Sequence, residues 1–410
     1  MKIKAFFKTI LNNRNFPFPV FWAYILLSMI GLLFIHSATI NINEPFALKQ
    51  FFWFTASLIV MTVIQSVHYR YLYPIVPFLF ALSLILLLLV LLTGPVISGS
   101  TRWFSLGFIK LQPSEIAKIA TILMIAFYLS TIKPPLENLK HFLNIFFILV
   151  LPIFLILKEP DLGTSIVFTT IIFPILYWRG FRFLTLAFLV LPIINILAAF
   201  SIWTWFIFFV ILLIMLFYSR LQMRILIFIF LLNTIIGIVT PYIWNHLHDY
   251  QKKRILVFLN PEKDKLSSGY HIIQSKISIG SGGFYGKGLL QGSQKNLRFL
   301  PEQHTDFIFS VIGEETGFLG CSIVIILFGS IFFYSIQIAS ETRNLFGQLI
   351  IIGCVSVLFF QMLINIGMTI GLMPVTGIPL PFISYGGSSL LTNSVMIGLI
   401  LNIGRHRYDY

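Results

Sequence analysis

Charge is what this chain has least of. Only 10% of its 410 residues are Asp, Glu, Lys or Arg, against about 25% in a soluble globular domain. That shortage excludes a soluble domain, and a mean hydropathy of +0.93 places the chain among membrane proteins. Acids are scarcer than bases, 14 against 28. The resulting charge of +14 is not a nucleic-acid signal, because most basic residues sit in short connections where membrane orientation accounts for them. Cysteine is nearly absent: Cys321 and Cys354 lie inside apolar runs and read as packing residues. Alternation of apolar and polar residues is missing too, which argues against a membrane β-barrel. The first apolar run, Phe18 to about Ile35, lacks a small-residue cleavage site and reads as a span rather than a signal peptide.

What is present is a series of twelve apolar runs, near 18–37, 50–67, 73–93, 113–131, 142–157, 163–178, 183–198, 202–218, 225–245, 306–336, 347–371 and 387–404. About 20 apolar residues cross a bilayer as a helix, so the expectation is one all-α polytopic membrane domain over residues 1–410. The run at 306–336 is long enough to tilt or break. Lys and Arg recur in the N-terminal tail and in every second connection, at Arg70, Lys133, Lys140, Arg179, Arg182, Arg220, Arg224, Arg343, Arg405 and Arg407. The positive-inside bias puts both termini in the cytoplasm. The connections around Trp103, Asp161, Asp264 and Pro379 then share the outer face, and four unusual loops on one side imply one extracytoplasmic site.

The longest polar stretch, 246–305, is the large extracytoplasmic loop. From His248 to Thr305 it has nine Lys or Arg and four Asp or Glu, a net of +5. The positive-inside bias does not govern long loops, so this excess points to an anionic ligand, and beside a membrane a lipid-borne phosphate is the natural one. Within it, Tyr270, Ile273 and Ile277 share a helical face suited to a membrane surface. GSGGFYGKG offers either an anion nest or simple turns. His304 and Asp306 are thin candidates for metal ligands.

The other connections carry their own signals. In RWFSLGFIKLQPSEIAK, Trp103 suits either an interfacial anchor or a site wall, and Pro113 and Glu115 suit the start of a helix. Glu115 and Lys118 share a face, either as a local ion pair or as the polar wall of a cavity. Asp161 suits an N-cap or a link to the site. Glu314 and Glu315, early in a span, should face the bundle. MPVTGIPLPFISYGGSS, rich in Pro and Gly, reads as a re-entrant cap, since irregular backbone at membrane depth must be covered by protein or water.

In this order, RWFSLGFIKLQPSEIAK, PDLGTS, the run from GYHIIQSK to GEETG, and GIPLPFISYGGSS resemble the SEDS family of membrane proteins (RodA, FtsW and SpoVE). The resemblance covers nearly the whole chain, and YHIIQSKISIGSGG favours the rod-elongation branch. It implies a peptidoglycan glycosyltransferase that joins lipid II units in cell-wall elongation and rod-shape maintenance. It also implies a bacterial plasma membrane location and a class B penicillin-binding protein partner that supplies the transpeptidase. The family's essential loop Asp matches Asp264 as catalytic residue, and its substrate-binding positions match Arg102, Trp103, Glu115 and Lys118. Lys276 is a further candidate for phosphate. Asp264 would act as general base, or would hold a divalent cation (Mg or Mn) on the pyrophosphate. The partners expected are thus lipid II, nascent glycan, membrane lipid and the transpeptidase, with no nucleic acid. A lipid II flippase and a non-catalytic scaffold are the rival readings. Two departures stand out. The family core has ten spans, so about 183–245 contains two extra ones, and Lys265 replaces the usual Pro after the Asp.

Overall fold

The computed structural model describes residues 15–40, 44–95, 101–106, 109–133, 138–219, 221–246, 252, 268–292 and 303–409. Its helices are α1 (Phe18–Thr39), α2 (Phe46–Ser66), α3 (Val76–Thr93, led in by a 3-10 turn Tyr69–Ile75), α4 (Pro113–Thr131), α5 (Leu139–Lys158), α6 (Leu162–Arg179), α7 (Phe183–Ala198), α8 (Ile202–Tyr218), α9 (Met223–His246), α10 (Ser268–Gly282), α11 (Ile308–Glu341), α12 (Leu345–Thr369) and α13 (Gly387–Arg405). A small antiparallel hairpin, β1 (Phe104–Leu106) and β2 (Ile109–Leu111), precedes α4.

The all-α membrane fold is therefore as expected, and each of the twelve apolar runs is a helix. Among the described residues, ten helical segments are long and apolar enough to cross a bilayer. The expected count of twelve spans is not reached on length: α7 and α8 have 16 and 17 residues. At 1.5 Å per residue the longer measures about 26 Å, short of a hydrocarbon core about 30 Å thick. Both lie inside 183–245, where the surplus was expected.

Local chemistry sets the helix ends. Pro113 opens α4 at a position where its missing N–H costs nothing. Asp161 caps α6, its carboxylate accepting from the Thr164 backbone N–H at 3.1 Å. Gly180, at φ +100°, closes α6 in the left-handed conformation. The long α11 is broken at Gly317, whose φ of 65° and ψ of −157° are not helical. Only glycine adopts that region readily.

Between helices in lipid there is little hydrophobic driving force, so close approach of backbones carries the packing. Gly31 of α1 shows this: an added Cβ would lie 2.7 Å from the Ile383 Cα. The irregular segment 374–386 thus presses into the bundle, with Leu380, Phe382 and Ile383 buried. It is a protein-covered loop, as a re-entrant cap requires. The main core runs through α1, α4, α6, α11, α12 and α13. A second, smaller core of Phe188, Leu191, Phe208, Leu212, Leu216, Ile225 and Ile229 holds α7, α8 and α9 together.

Candidate active site

Residues from all four unusual connections meet, the large loop contributing its last residue, Thr305. A cavity of about 750 Å3 is lined by Arg102 and Trp103, by Asp161 and by Gly377 to Pro379, with Glu115 and Lys118 on its wall. The fourth connection's Asp264, with Lys265 beside it, lies outside the described residues. Lys276 lines neither this cavity nor its neighbour. It sits on the exposed side of α10, packed on Gly371, where an added Cβ would be 2.6 Å from its Nζ. The structure thus separates Lys276 from Arg102 and Lys118, because α10 turns its Ser275 and Ser278 face to α11 and α12 instead.

Glu115 and Lys118 form an ion pair at 2.8 Å, with side chains 6% and 2% exposed. One turn apart on α4, they are at once a local pair and part of the cavity wall, so both readings of them hold. The second carboxylate oxygen, Oε2, has no hydrogen-bond partner among the described residues. Gln361 of α12 is buried on the same cavity, and its Oε1 likewise lacks a partner there. Buried acceptors without partners are costly, and facing a cavity they are places for a ligand's hydroxyl or amide groups.

Arg102 is not a free phosphate clamp. Its Nε donates to the Glu159 carbonyl at 3.1 Å, another guanidinium nitrogen donates to the Pro160 carbonyl, and Nη1 lies 3.9 Å from Asp161. It fastens the β1–β2 hairpin region to the α5–α6 turn. Asp161 also accepts from Thr164 Oγ1 at 2.8 Å and Gln112 Nε2 at 3.2 Å. It is both a cap and a piece of the cavity wall. Glu159, next to it in that turn, is fully buried, and its carboxylate oxygens have no partner among the described residues. Burial and then the Asp161 charge push its carboxyl up to about 8, with Arg102 opposing.

The glycine-dense stretch is not an anion nest. The Lys287 and Gly288 N–H groups donate to the Glu314 and Glu315 carbonyls, and Gly286 N–H donates to Gly282 O. A Cβ on Gly286 would lie 2.1 Å from the Glu315 carbonyl oxygen. These glycines let a turn pack flat on α11. Lys287 pairs with Glu314 at 2.7 Å, and Ser37 donates to Glu315 at 2.6 Å, so both acids face the bundle as expected. Tyr270, Ile273 and Ile277 stay only partly covered.

His304 and Asp306 gather no metal site among the described residues: the His304 ring packs on Phe46 and Tyr385. One cluster there does bring His68, His406 and Asp409 within ligand distance of one another. His68 Nδ1 accepts from the Arg70 backbone N–H at 3.2 Å. A metal-bound imidazole must donate from its second nitrogen, which that N–H blocks, so the cluster is a hydrogen-bonded clamp on the chain's end. In the cavity, Glu115 is engaged by Lys118, Glu44 by Lys49, and Asp161 by Thr164 and Gln112, while Asp306 lines the same wall.

Sequence reading missed Lys49, Glu44, Trp53 and Gln361, which line the cavity together with Gly386 to Ser389 from the end of the re-entrant motif. Lys49 had a signal: it is a cation in a connection that the charge bias assigns to the outside. A second, almost wholly apolar cavity of about 390 Å3 lies between α2, α3, α4 and α13. Trp53 and Ser388 line both cavities.

A multi-pass helical membrane protein with a polar cavity at one end, opening beside an apolar groove, is suited to the polar head of a lipid-linked molecule. The chain belongs to the FtsW/RodA/SpoVE family, described as cell cycle protein, whose model matches residues 19–206 and 202–409. It is 35% identical over 426 residues to the peptidoglycan glycosyltransferase RodA of Treponema pallidum, covering 95% of this chain and 97% of that protein. It is 36% identical over 353 residues to the peptidoglycan glycosyltransferase MrdB of Escherichia coli, covering 85% and 83%. A structure described as the structural coordination of polymerization and crosslinking by a peptidoglycan synthase complex superposes with a TM-score of 0.73 at 26% identity, covering 96% and 99% of the two chains. The rod shape determining protein RodA of Thermus thermophilus gives 0.63 at 25%, covering 97% and 100%.

Proposed function

We propose that this chain is a peptidoglycan glycosyltransferase, polymerising lipid II at the outer face of a bacterial plasma membrane with both termini in the cytoplasm. The observation that carries the reading is the junction of a charged cavity with an apolar groove. An amphiphilic donor can lay its polyprenyl chain in the groove and its sugars in the cavity. The acceptor hydroxyl attacks the donor's anomeric carbon, and polyprenyl pyrophosphate leaves.

Asp264 is assigned the acceptor's proton, as general base. An ordinary Asp, with a pKa of about 3.9, is a weak base, and desolvation in the closed site would raise it. In the alternative role Asp264 holds a divalent cation against the pyrophosphate. Glu115 and Lys118 shape the wall, Arg102 fixes the turn that carries Asp161, and Trp103 packs against sugar or prenyl chain. Assembly with a class B penicillin-binding protein supplies cross-linking, because this chain has neither the S-D-N nor the K-T-G motif that accompanies an acylating serine and lysine.

The test is polymerisation of lipid II by purified protein, with and without chelator. Wild type should make glycan, and Asp264→Asn should make none while inserting normally. An Asp264→Asn protein that still elongates glycan would sink the assignment. Loss of activity with chelator, restored by Mg or Mn, would select the metal role. A flippase would instead give no glycan from lipid II supplied in the outer leaflet.

A further inference from the structure

If a polyprenyl-linked donor lies as described, its diphosphate must sit where the two cavities join, because it is the link between chain and sugar. That junction is marked by Trp53 and Ser388. Lys49 precedes Trp53 by four residues on α2, so the two share a helix face, and Lys49 lines the polar cavity. Gln50 ties this end of α2 to the re-entrant segment, donating to the Ser384 carbonyl and accepting from the Gly386 N–H.

The other described cations on the cavity wall are committed. Lys118 is buried against Glu115, and Arg102 is held by two backbone carbonyls. Lys49 pairs instead with Glu44 at 3.0 Å, their side chains 48% and 60% exposed. A solvent-screened pair of this kind is weak and readily exchanged. The amino end of α13, which has no side-chain cap, lines the same cavity and adds partial positive charge.

We propose that Lys49 holds the donor's diphosphate, exchanging the Glu44 carboxylate for a phosphate oxygen. The assignment rests on the polymerase reading and names the group that fixes the donor at the cavity junction.

The test is equilibrium binding of undecaprenyl pyrophosphate and of undecaprenol, its neutral alcohol, to the full chain in lipid nanodiscs. A charge-assisted hydrogen bond predicts that Lys49→Gln weakens diphosphate binding about tenfold or more. Lys49→Arg should bind nearly as wild type, and the alcohol should bind alike in all three. The proposal is overturned if Lys49→Gln holds the diphosphate as wild type does, or if the alcohol weakens in parallel. Glycan formation by wild type is a separate arm: its failure refutes the polymerase reading, while the diphosphate comparison still decides Lys49.

Discussion

Replacing Lys118 by Met strands Glu115 in the bundle wall. At 2.8 Å the pair's attraction is about 6 kcal/mol for an effective dielectric near 20, and most of that offsets the desolvation of two buried ions. The cost of breaking it from one side is therefore larger than its net worth. Lys118→Met and Glu115→Gln should each lower stability by about 3–5 kcal/mol, whereas the double variant should recover most of the loss. Thermal unfolding of the four proteins in detergent closes the cycle. Glycan synthesis from lipid II should fail in the double variant despite its recovered stability, because the cavity wall would then lack both charges. Single variants as stable as wild type would show that water reaches the pair. A double variant with full activity would show that the pair serves the fold alone.

Three further outcomes follow from the same structure. Glu159 holds its proton up to about pH 8 in the fold, against 4.5 in its ordinary state. Stability should therefore fall as pH rises from about 4.5 to 8, by at most about 5 kcal/mol. Glu159→Gln should abolish that decline in a pH series of unfolding temperatures, and an unchanged slope would refute the burial argument. Gly317→Ala should destabilise by about 2–5 kcal/mol, since its φ is +65° and an added Cβ would lie 2.4 Å from the Gly286 nitrogen. A wild-type melting temperature for that variant would mean the break in α11 is not built on glycine. Asp264→Asn should be inert in polymerisation yet normally inserted, as quantified by glycan chains per enzyme.

The helices were readable because lipid and core are both apolar, so the runs are continuous and their ends carry Pro113, Asp161 and Gly180. Arg102, Trp103, Glu115, Lys118 and Asp161 were readable because each stands in a motif, and they do meet in one cavity. Gln361 and Glu159 were not. Each is a single polar residue beside an apolar run, and only tertiary packing decides whether it faces a cavity, a neighbour or lipid. The glycines of GSGGFYGKG left two readings open because a nest and a close-packed turn call for the same composition. What separates them is where the N–H groups point, and here Lys287 and Gly288 donate to α11. Lys276 lies on the exposed side of α10, whose Ser275 and Ser278 make the contact with the bundle.

The helices α7 and α8 supply most of the second, smaller core. They form a pair, so whether both cross or both fall short, the chain re-enters α9 on the side it would have reached without them. Their packing centres on the smaller core, against which Leu139 and Phe142 of α5 also pack. Phe188, Leu191, Phe208, Leu212 and Leu216 bury one another against Ile225 and Ile229 of α9, and Asn195 of α7 donates to the Asn233 carbonyl of α9 at 2.5 Å. An interhelical amide bond in lipid contributes about 1 kcal/mol, enough to fix a register between neighbours. No residue of α7, α8 or α9 lines the charged cavity or the apolar groove. The α7–α9 unit therefore stands apart from the lining of both cavities and joins the main bundle through Leu139 and Phe142 of α5.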